Sequence, residues 1–322
     1  MGHSESFEAK KKQEFIEDKI MIKNFSELKT KIKQMGLKKI AIAVAEDEEV
    51  LAAIGQAQKE GLAQGTLIGD KNLIIVAAQK ANIDLSPFEI IHETDHVKAA
   101  EICCQLIREK KASVMMKGLL DTSKFMKAIL NKQTGLNTGH LLSHVAVCEI
   151  ETYPKLLFLT DAAINIAPTV KQKAAIIANG VKVAKGLGIS TPLVACCAAV
   201  EKVNPDMPAT LDAAELVQMC ERGEITGCIV GGPFGLDNAI NKESAKIKKV
   251  TGPVAGNADI ILCNDIESGN YLYKALGFLT KAKMGAIVMG AAAPVVLTSR
   301  ADSHETKYLS ILLAILSSNF NE

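Results

Sequence analysis

The chain has 322 residues, 48% hydrophobic and 23% charged, a length that suits two α/β domains and a balance ordinary for a globular protein. Its 37 basic and 36 acidic side chains leave a net charge of +1, so it lacks the field that draws a protein to nucleic acid or to an anionic membrane. Aromatic residues make up only 4%, with no Trp, which leaves Ala, Val, Ile and Leu to build the core, as in helices packed on a parallel sheet.

At the N-terminus, Met1 to Ser6 read as unstructured, and Lys10-Lys11-Lys12, followed by Glu14, Glu17 and Asp18, reads as the solvated face of a helix. No secretory signal is visible there. The eight cysteines, none in a Cys-x-x-Cys pair, are therefore expected to be reduced thiols in a cytoplasmic protein. From Lys39 onward strands and helices alternate. Strands are expected at 40–44, 66–69, 88–91 and 113–116, with helices at 47–60, 72–80, 95–110 and from Asp121 or Thr122 to about Asn131. Thr134-Gly135-Leu136-Asn137-Thr138-Gly139 breaks the pattern and reads as a linker. Beyond it, strands are expected at 145–150, 156–159, 193–195, 227–230, 260–262 and 286–289. Helices follow at 170–187, 212–221, 269–278 and 305–316. The longest apolar stretch, 287–297, is too short for a membrane span and contains Pro294. The pattern is that of an α/β protein with two doubly wound sheets in series, whose ligands bind beyond the carboxyl ends of the strands.

Several motifs are missing. There is no phosphate loop of the G-x-x-x-x-G-K-[ST] type, no G-x-G-x-x-G opening a helix after the first strand, and no G-x-S-x-G elbow. His92-Glu93-Thr94-Asp95-His96 matches H-E-x-x-H, but His92 ends a strand and Asp95 reads as the cap of the next helix. His140 and His144 share the spacing without the Glu. Neither pair has a third ligand, so no metal site is expected.

The chemistry is carried by loops after strands. Lys117-Gly118-Leu119-Leu120-Asp121-Thr122 opens a helix whose N-terminus offers free N–H groups to an anion. Thr160-Asp161-Ala162-Ala163-Ile164-Asn165 and Gly231-Gly232-Pro233-Phe234-Gly235-Leu236-Asp237 follow strands in the same way. Each alone is what any turn contains; together they point to a phosphate-bearing ligand. In Leu297-Thr298-Ser299-Arg300, Arg300 can hold a phosphate or carboxylate bidentately and Ser299 can donate to a leaving group, although on spacing alone Arg300 could equally cap a helix end or pair with Asp302.

These segments, with Gly252-Pro253-Val254-Ala255-Gly256-Asn257-Ala258-Asp259, Asn264-Asp265-Ile266-Glu267-Ser268-Gly269-Asn270 and Tyr273-Lys274, resemble the phosphate acetyl/butyryltransferase family. The resemblance runs from about Lys117 to the C-terminus; before residue 110 only the strand–helix pattern matches. It implies two α/β domains with an inter-domain cleft, related to isocitrate and isopropylmalate dehydrogenases. The first domain would be residues 1–137 plus 290–322 and the second 138–289. It also implies reversible acyl transfer between coenzyme A and inorganic phosphate through a ternary complex. Coenzyme A is then a co-substrate rather than a bound cofactor, no metal takes part, and the protein is a homodimer or larger homo-oligomer.

Within that resemblance, Arg300 would hold phosphate and the developing oxyanion, and Ser299 the departing sulfur. Lys117 and the backbone at Gly118 would help neutralise phosphate. Thr122, Asp161, Asn165, Gly232, Pro233, Asp265, Ser268, Gly269 and Asn270 are expected to complete the substrate-binding loops. Acetyl-specific members have Ser-Arg-Gly-Cys at the motif and an Asp six residues after the Arg, the proposed base for the thiol. Here Ala301-Asp302 follows Ser299-Arg300 and the sixth position is Thr306, so either Glu305 or Asp302 has taken over or no strong base is needed. The family's phosphate-contacting Arg in the helix after Lys117-Gly118 is also replaced, with Lys127 as the candidate substitute. These departures favour a butyryl-type member over an acetyl-type one. The rival readings are a metal- and NAD(P)-dependent hydroxy-acid dehydrogenase on the same fold, using Asp161, Asp237, Asp259 and Asp265, and a non-catalytic binding protein.

Overall fold

The computed structural model describes residues 21–299 and 301–320. The readings made for Met1 to Ser6, for Lys10 to Lys12 and for Arg300 lie outside them.

The first half repeats one local device. Strand β1 (Lys38–Ala43) is followed by helix α2 (Glu48–Lys59), β2 (Ala63–Gly69) by α3 (Lys71–Ala81), and β3 (Glu89–His92) by α4 (His96–Arg108). Each helix starts on an aspartate whose carboxylate takes first-turn N–H groups: Asp47 from Val50, Asp70 from Asn72 and Leu73, Asp95 from Val97 and Lys98. A short helix α1 (Phe25–Lys33), capped by Asn24, precedes them. Then come β4 (Val114–Lys117) and α5 (Thr122–Leu130).

The second half runs β5 (Ser143–Glu149), β6 (Leu157–Thr160), α6 (Val170–Gly186), β7 (Leu193–Cys197), α7 (Pro208–Glu221) and β8 (Ile229–Phe234). Two short helices follow, α8 (Leu236–Ile240) and α9 (Lys242–Ile247), then β9 (Ile260–Leu262), α10 (Ile266–Leu279) and β10 (Lys283–Met289). The chain ends with β11 (Val295–Val296) and α11 (His304–Ser317). The expected helices and strands are present among the described residues; α1 was not anticipated, nor were α8, α9 and β11, which at five, six and two residues carry no readable period.

The two sheets expected in series are one. Its eleven strands lie in the order β3-β2-β1-β4-β11-β10-β5-β6-β9-β7-β8. Pairing is parallel among β3, β2, β1, β4 and β11 and again among β6, β9, β7 and β8, and antiparallel at β11–β10, β10–β5 and β5–β6. Three reversals make the outer parallel sets run in opposite senses. The joint is made where the chain crosses twice: Thr138 Oγ1 donates to the Gly290 carbonyl at 2.6 Å, and Ala292 N–H to the Leu136 carbonyl at 2.9 Å.

Side chains alternate across the sheet. Ile40, Ile42, Val114, Met116 and Val296 enter one core with α11, while Ala41, Ala43, Met115 and Val295 enter another with Ala99, Ala100, Cys103 and Cys104 of α4. Helix α11 is buried from Lys307 to Ser317. Its Ser310 accepts from Ala286 N–H of β10 at 2.8 Å, and its Tyr308 hydroxyl bonds Glu60 beside α2. The C-terminal segment thus joins the first half through β11 while its helix lies across both halves.

Candidate active site

The loops that follow β4, β6, β9 and β11 converge on a pocket of about 240 Å³. It is lined by Thr122 at the start of α5, Ala162 and Ala163 after β6, Asn270, Tyr273 and Lys274 of α10, Leu297, Thr298, Ser299 and Asp302 after β11, and His144 of β5. A second recess of about 340 Å³ adjoins it through Tyr273, Lys274 and Asp302 and reaches Glu305 and Thr306.

Two turns shape the walls. Asp161 is buried, and one carboxylate oxygen accepts from the N–H groups of Ala163 (2.8 Å) and Ile164 (3.0 Å). The other accepts from the N–H (3.3 Å) and the side-chain amide (2.6 Å) of Asn165, whose amide also donates to the Leu142 carbonyl. Asp302 closes the opposite turn: its carboxylate accepts from Ser299 N–H at 2.8 Å and faces Lys274 Nζ at 3.4 Å. The backbone carbonyls of Ser299 and Asp302 accept from the buried Lys307 ammonium. Lys274 also lies 5.1 Å from the Tyr273 ring centroid.

Helix α10 is held tightly against the first turn. A Cβ at Gly269 would lie 2.1 Å from the Asp161 carbonyl oxygen, so only glycine lets the helix approach. Asn270 donates to the Ala162 carbonyl at 3.3 Å. At the helix start Asp265 and Ser268 form a capping box, Ser268 N–H donating to Asp265 at 2.9 Å. Burial works against the Asp265 charge, but the hydrogen bonds from Ser268 and Asn264 outweigh it and hold its carboxyl below the usual range. Asn264 is in turn gripped by Lys173 of α6, a buried ammonium that also bonds Asp212 at 2.6 Å.

The structure therefore brings Thr122, Asn270, Ser299 and Asp302 to the pocket, with Asp161, Asn165, Asp265, Ser268 and Gly269 behind them as the frame. Glu305 faces the adjoining recess. Lys117 is buried and its ammonium donates to the carbonyls of Gly118 and Leu120, while a Cβ at Gly118 would lie 2.0 Å from the Val44 carbonyl oxygen. This pair shapes the β4–α5 connection. Lys127 lines a different surface recess with Met126 and Leu130. Gly232 and Pro233 lie in β8 at the edge of the sheet. Sequence reasoning gave His144 no place in this pocket, since its spacing from His140 suggested only a metal pair; one buried imidazole in a strand of Val, Ala and Cys was the available signal.

His92 ends β3 and accepts from Lys71 N–H, whereas His96 begins α4, so the H-E-x-x-H residues do not share a helix face. The four aspartates of the dehydrogenase reading are separately engaged: Asp161 and Asp265 in turns, Asp237 with Lys248 at 3.0 Å and Asp259 with Lys155 at 2.6 Å. Among the described residues no group of three or more His, Cys, Asp or Glu side chains stands together as a metal site.

The pattern of the family described as phosphate acetyl/butaryl transferase matches residues 24–108 and 94–315. Over 92% of its length the chain is 51% identical to 98% of a phosphate butyryltransferase from Clostridium acetobutylicum. It is 50% identical to one from Clostridium beijerinckii, again over 92% of this chain and 98% of that one. The structure superposes on a branched-chain phosphotransacylase from Enterococcus faecalis V583 with a TM-score of 0.78 and 31% identity, covering 87% of this chain and 99% of that one.

Proposed function

The chain belongs to the phosphate acetyl/butyryltransferase family, and we propose from this premise that it transfers a short acyl group, butyryl preferred, reversibly between coenzyme A and inorganic phosphate. The observation that carries the reading is the convergence of Ser299, the α5 N-terminus at Thr122, and Asn270 and Lys274 of α10 on one pocket with small apolar walls at Ala162 and Ala163. Phosphate attacks the thioester carbonyl, a tetrahedral oxyanion forms and coenzyme A leaves as thiolate. A thiolate is already a good leaving group, so the protein's task is to position two anionic substrates and stabilise charge.

In this reading Arg300 holds phosphate and the oxyanion, the Ser299 hydroxyl faces the departing sulfur, and the first-turn N–H groups of α5 turn positive potential toward phosphate. Lys117 acts through the loop it ties. Glu305 and Asp302 are the carboxylates that compete for the role of proton acceptor in the reverse direction. The segments 1–137 plus 290–322 and 138–289 serve as two domains meeting at the pocket. The enzyme uses coenzyme A as a co-substrate with no resident cofactor, works in the cytoplasm and assembles as a homodimer or larger homo-oligomer.

The test follows thiol release from butyryl-CoA and acetyl-CoA side by side, with and without phosphate and with no added metal. Phosphate-dependent release that favours butyryl-CoA is expected. Release favouring acetyl-CoA would reassign the acyl preference, and none from either would overturn the reaction.

A further inference from the structure

Helices, strands and turns account for nearly every buried polar side chain in the described residues, and His144 is an exception. Its ring is only 4% exposed, lines the pocket, and has no hydrogen-bond partner at Nδ1. It meets the Tyr273 ring edge-on, with centroids 5.7 Å apart and planes at 86°. An imidazole nitrogen left unanswered in the interior is costly to bury, and the edge of the ring that lines the pocket is where a substrate meets it. The pocket it lines also holds Ser299, the residue facing the sulfur in the reading above, on which this inference rests.

We propose that His144 is a further catalytic residue, the group that takes the proton from the coenzyme A thiol when acyl phosphate is the acyl donor. The atoms balance without another reactant. The imidazole accepts the S–H proton, the sulfur lone pair forms the thioester bond to the acyl carbon, and the bond from that carbon to the phosphate oxygen breaks. The imidazolium then returns its proton to the departing phosphate, which leaves as the monohydrogen dianion.

The carboxylates that the sequence offered are less suited. Asp302 already accepts from Ser299 N–H and faces the Lys274 ammonium, and Glu305 lies in the adjoining recess. A free thiol titrates near ~8.5, above both an ordinary imidazole and an ordinary carboxylate, so His144 is favoured by its place in the pocket and the lack of a hydrogen-bond partner on its ring rather than by base strength. Burial is the largest influence on His144 and pushes its titration below the ordinary 6.5; Asp161 and Asp302 oppose that shift, and Lys274 adds to it. The ring is therefore neutral at pH 7 and able to accept a proton. Its activity should fall on the acid side as it becomes protonated.

The experiment measures coenzyme A consumption with butyryl phosphate across pH for wild type, His144→Gln and His144→Asn, after wild-type phosphate-dependent thiol release has been established. Wild-type failure would sink the proposed reaction; the variants judge His144 alone. The variants are expected to lose about 10²-fold in kcat with KM for coenzyme A within about threefold, and to lose the acid limb of the profile. Added imidazole should partly restore His144→Ala. Rates within about threefold of wild type, or a loss confined to KM with the acid limb intact, would overturn the proposal. Should the variants fail to fold, histidine-labelled wild type is titrated with coenzyme A by NMR. One buried imidazole resonance is expected to move, and no response at saturation would overturn the proposal equally.

Discussion

The turns around Asp161 and Asp302 both contribute to the pocket wall, and each is built on one aspartate, yet they differ in what completes them. Asp161 is buried and satisfied within its own loop, accepting from Ala163, Ile164 and Asn165. Helix α10 then closes over it through Gly269. Asp302 holds one N–H of its turn and faces a lysine from another element, Lys274, whose side chain is about one third exposed. The first turn is a scaffold that a ligand has little means to alter. The second is held at its backbone by the buried Lys307, but its carboxylate is matched by a lysine for which a substrate anion can compete. The reactive motif lies on the side that can respond to a ligand.

The sharpest test of this contrast lies at Arg300, beside Ser299. Arg300→Ala is expected to lower kcat by about 10²–10³, or about 3–4 kcal/mol of barrier, with the thermal unfolding midpoint unchanged; turnover close to wild type would remove Arg300 from the chemistry. On the scaffold side, Asp161→Ala should cost about 3 kcal/mol of stability, because it leaves several N–H groups of a buried loop without an acceptor. Denaturant melts would show it, and a loss of turnover at unchanged stability would reverse the assignment of scaffold and responsive turn.

Between these extremes, Ala163→Leu adds bulk to the pocket wall and should reduce kcat/KM for butyryl-CoA about tenfold while leaving acetyl-CoA within about twofold. Equal losses for both would place the acyl chain elsewhere. Lys274→Met removes the partner of Asp302 and is expected to raise KM for phosphate or coenzyme A about fivefold, about 1 kcal/mol, an effect that added salt should mimic in wild type. The smallest effect is at Asp265. Its folded-state titration is depressed, so its cap stabilises the protein above the unfolded carboxyl range and that contribution is lost as pH falls through the lower folded value. Acid unfolding of Asp265→Asn should be correspondingly less steep below about pH 4.

Much of this was readable from residues alone. Asp47, Asp70 and Asp95 announce their helices because an N-cap is a local event, satisfied within three residues. The loops after β4, β6 and β11 were legible as sites because turn residues follow apolar runs at those points. Misplacement arose where distance mattered. Lys127 has the right charge on the right helix but lines another recess, and Gly232-Pro233 has the turn composition of a site but lies in an edge strand. His144 went unread for the converse reason. Its significance comes from what surrounds it, and its neighbours Tyr273 and Asp302 lie more than a hundred residues away.

By itself the sequence determined the α/β alternation, the order of the loops and the family, since periodicity, capping and motif order act over short stretches of chain. Only the tertiary structure decided that the two expected sheets join into one through β5 and β10, that α11 lies across both halves, and that Asp161 frames the site while Asp302 faces a partly exposed lysine. Those outcomes depend on which distant backbone and side-chain groups satisfy one another in the folded interior, and local sequence carries no record of that pairing.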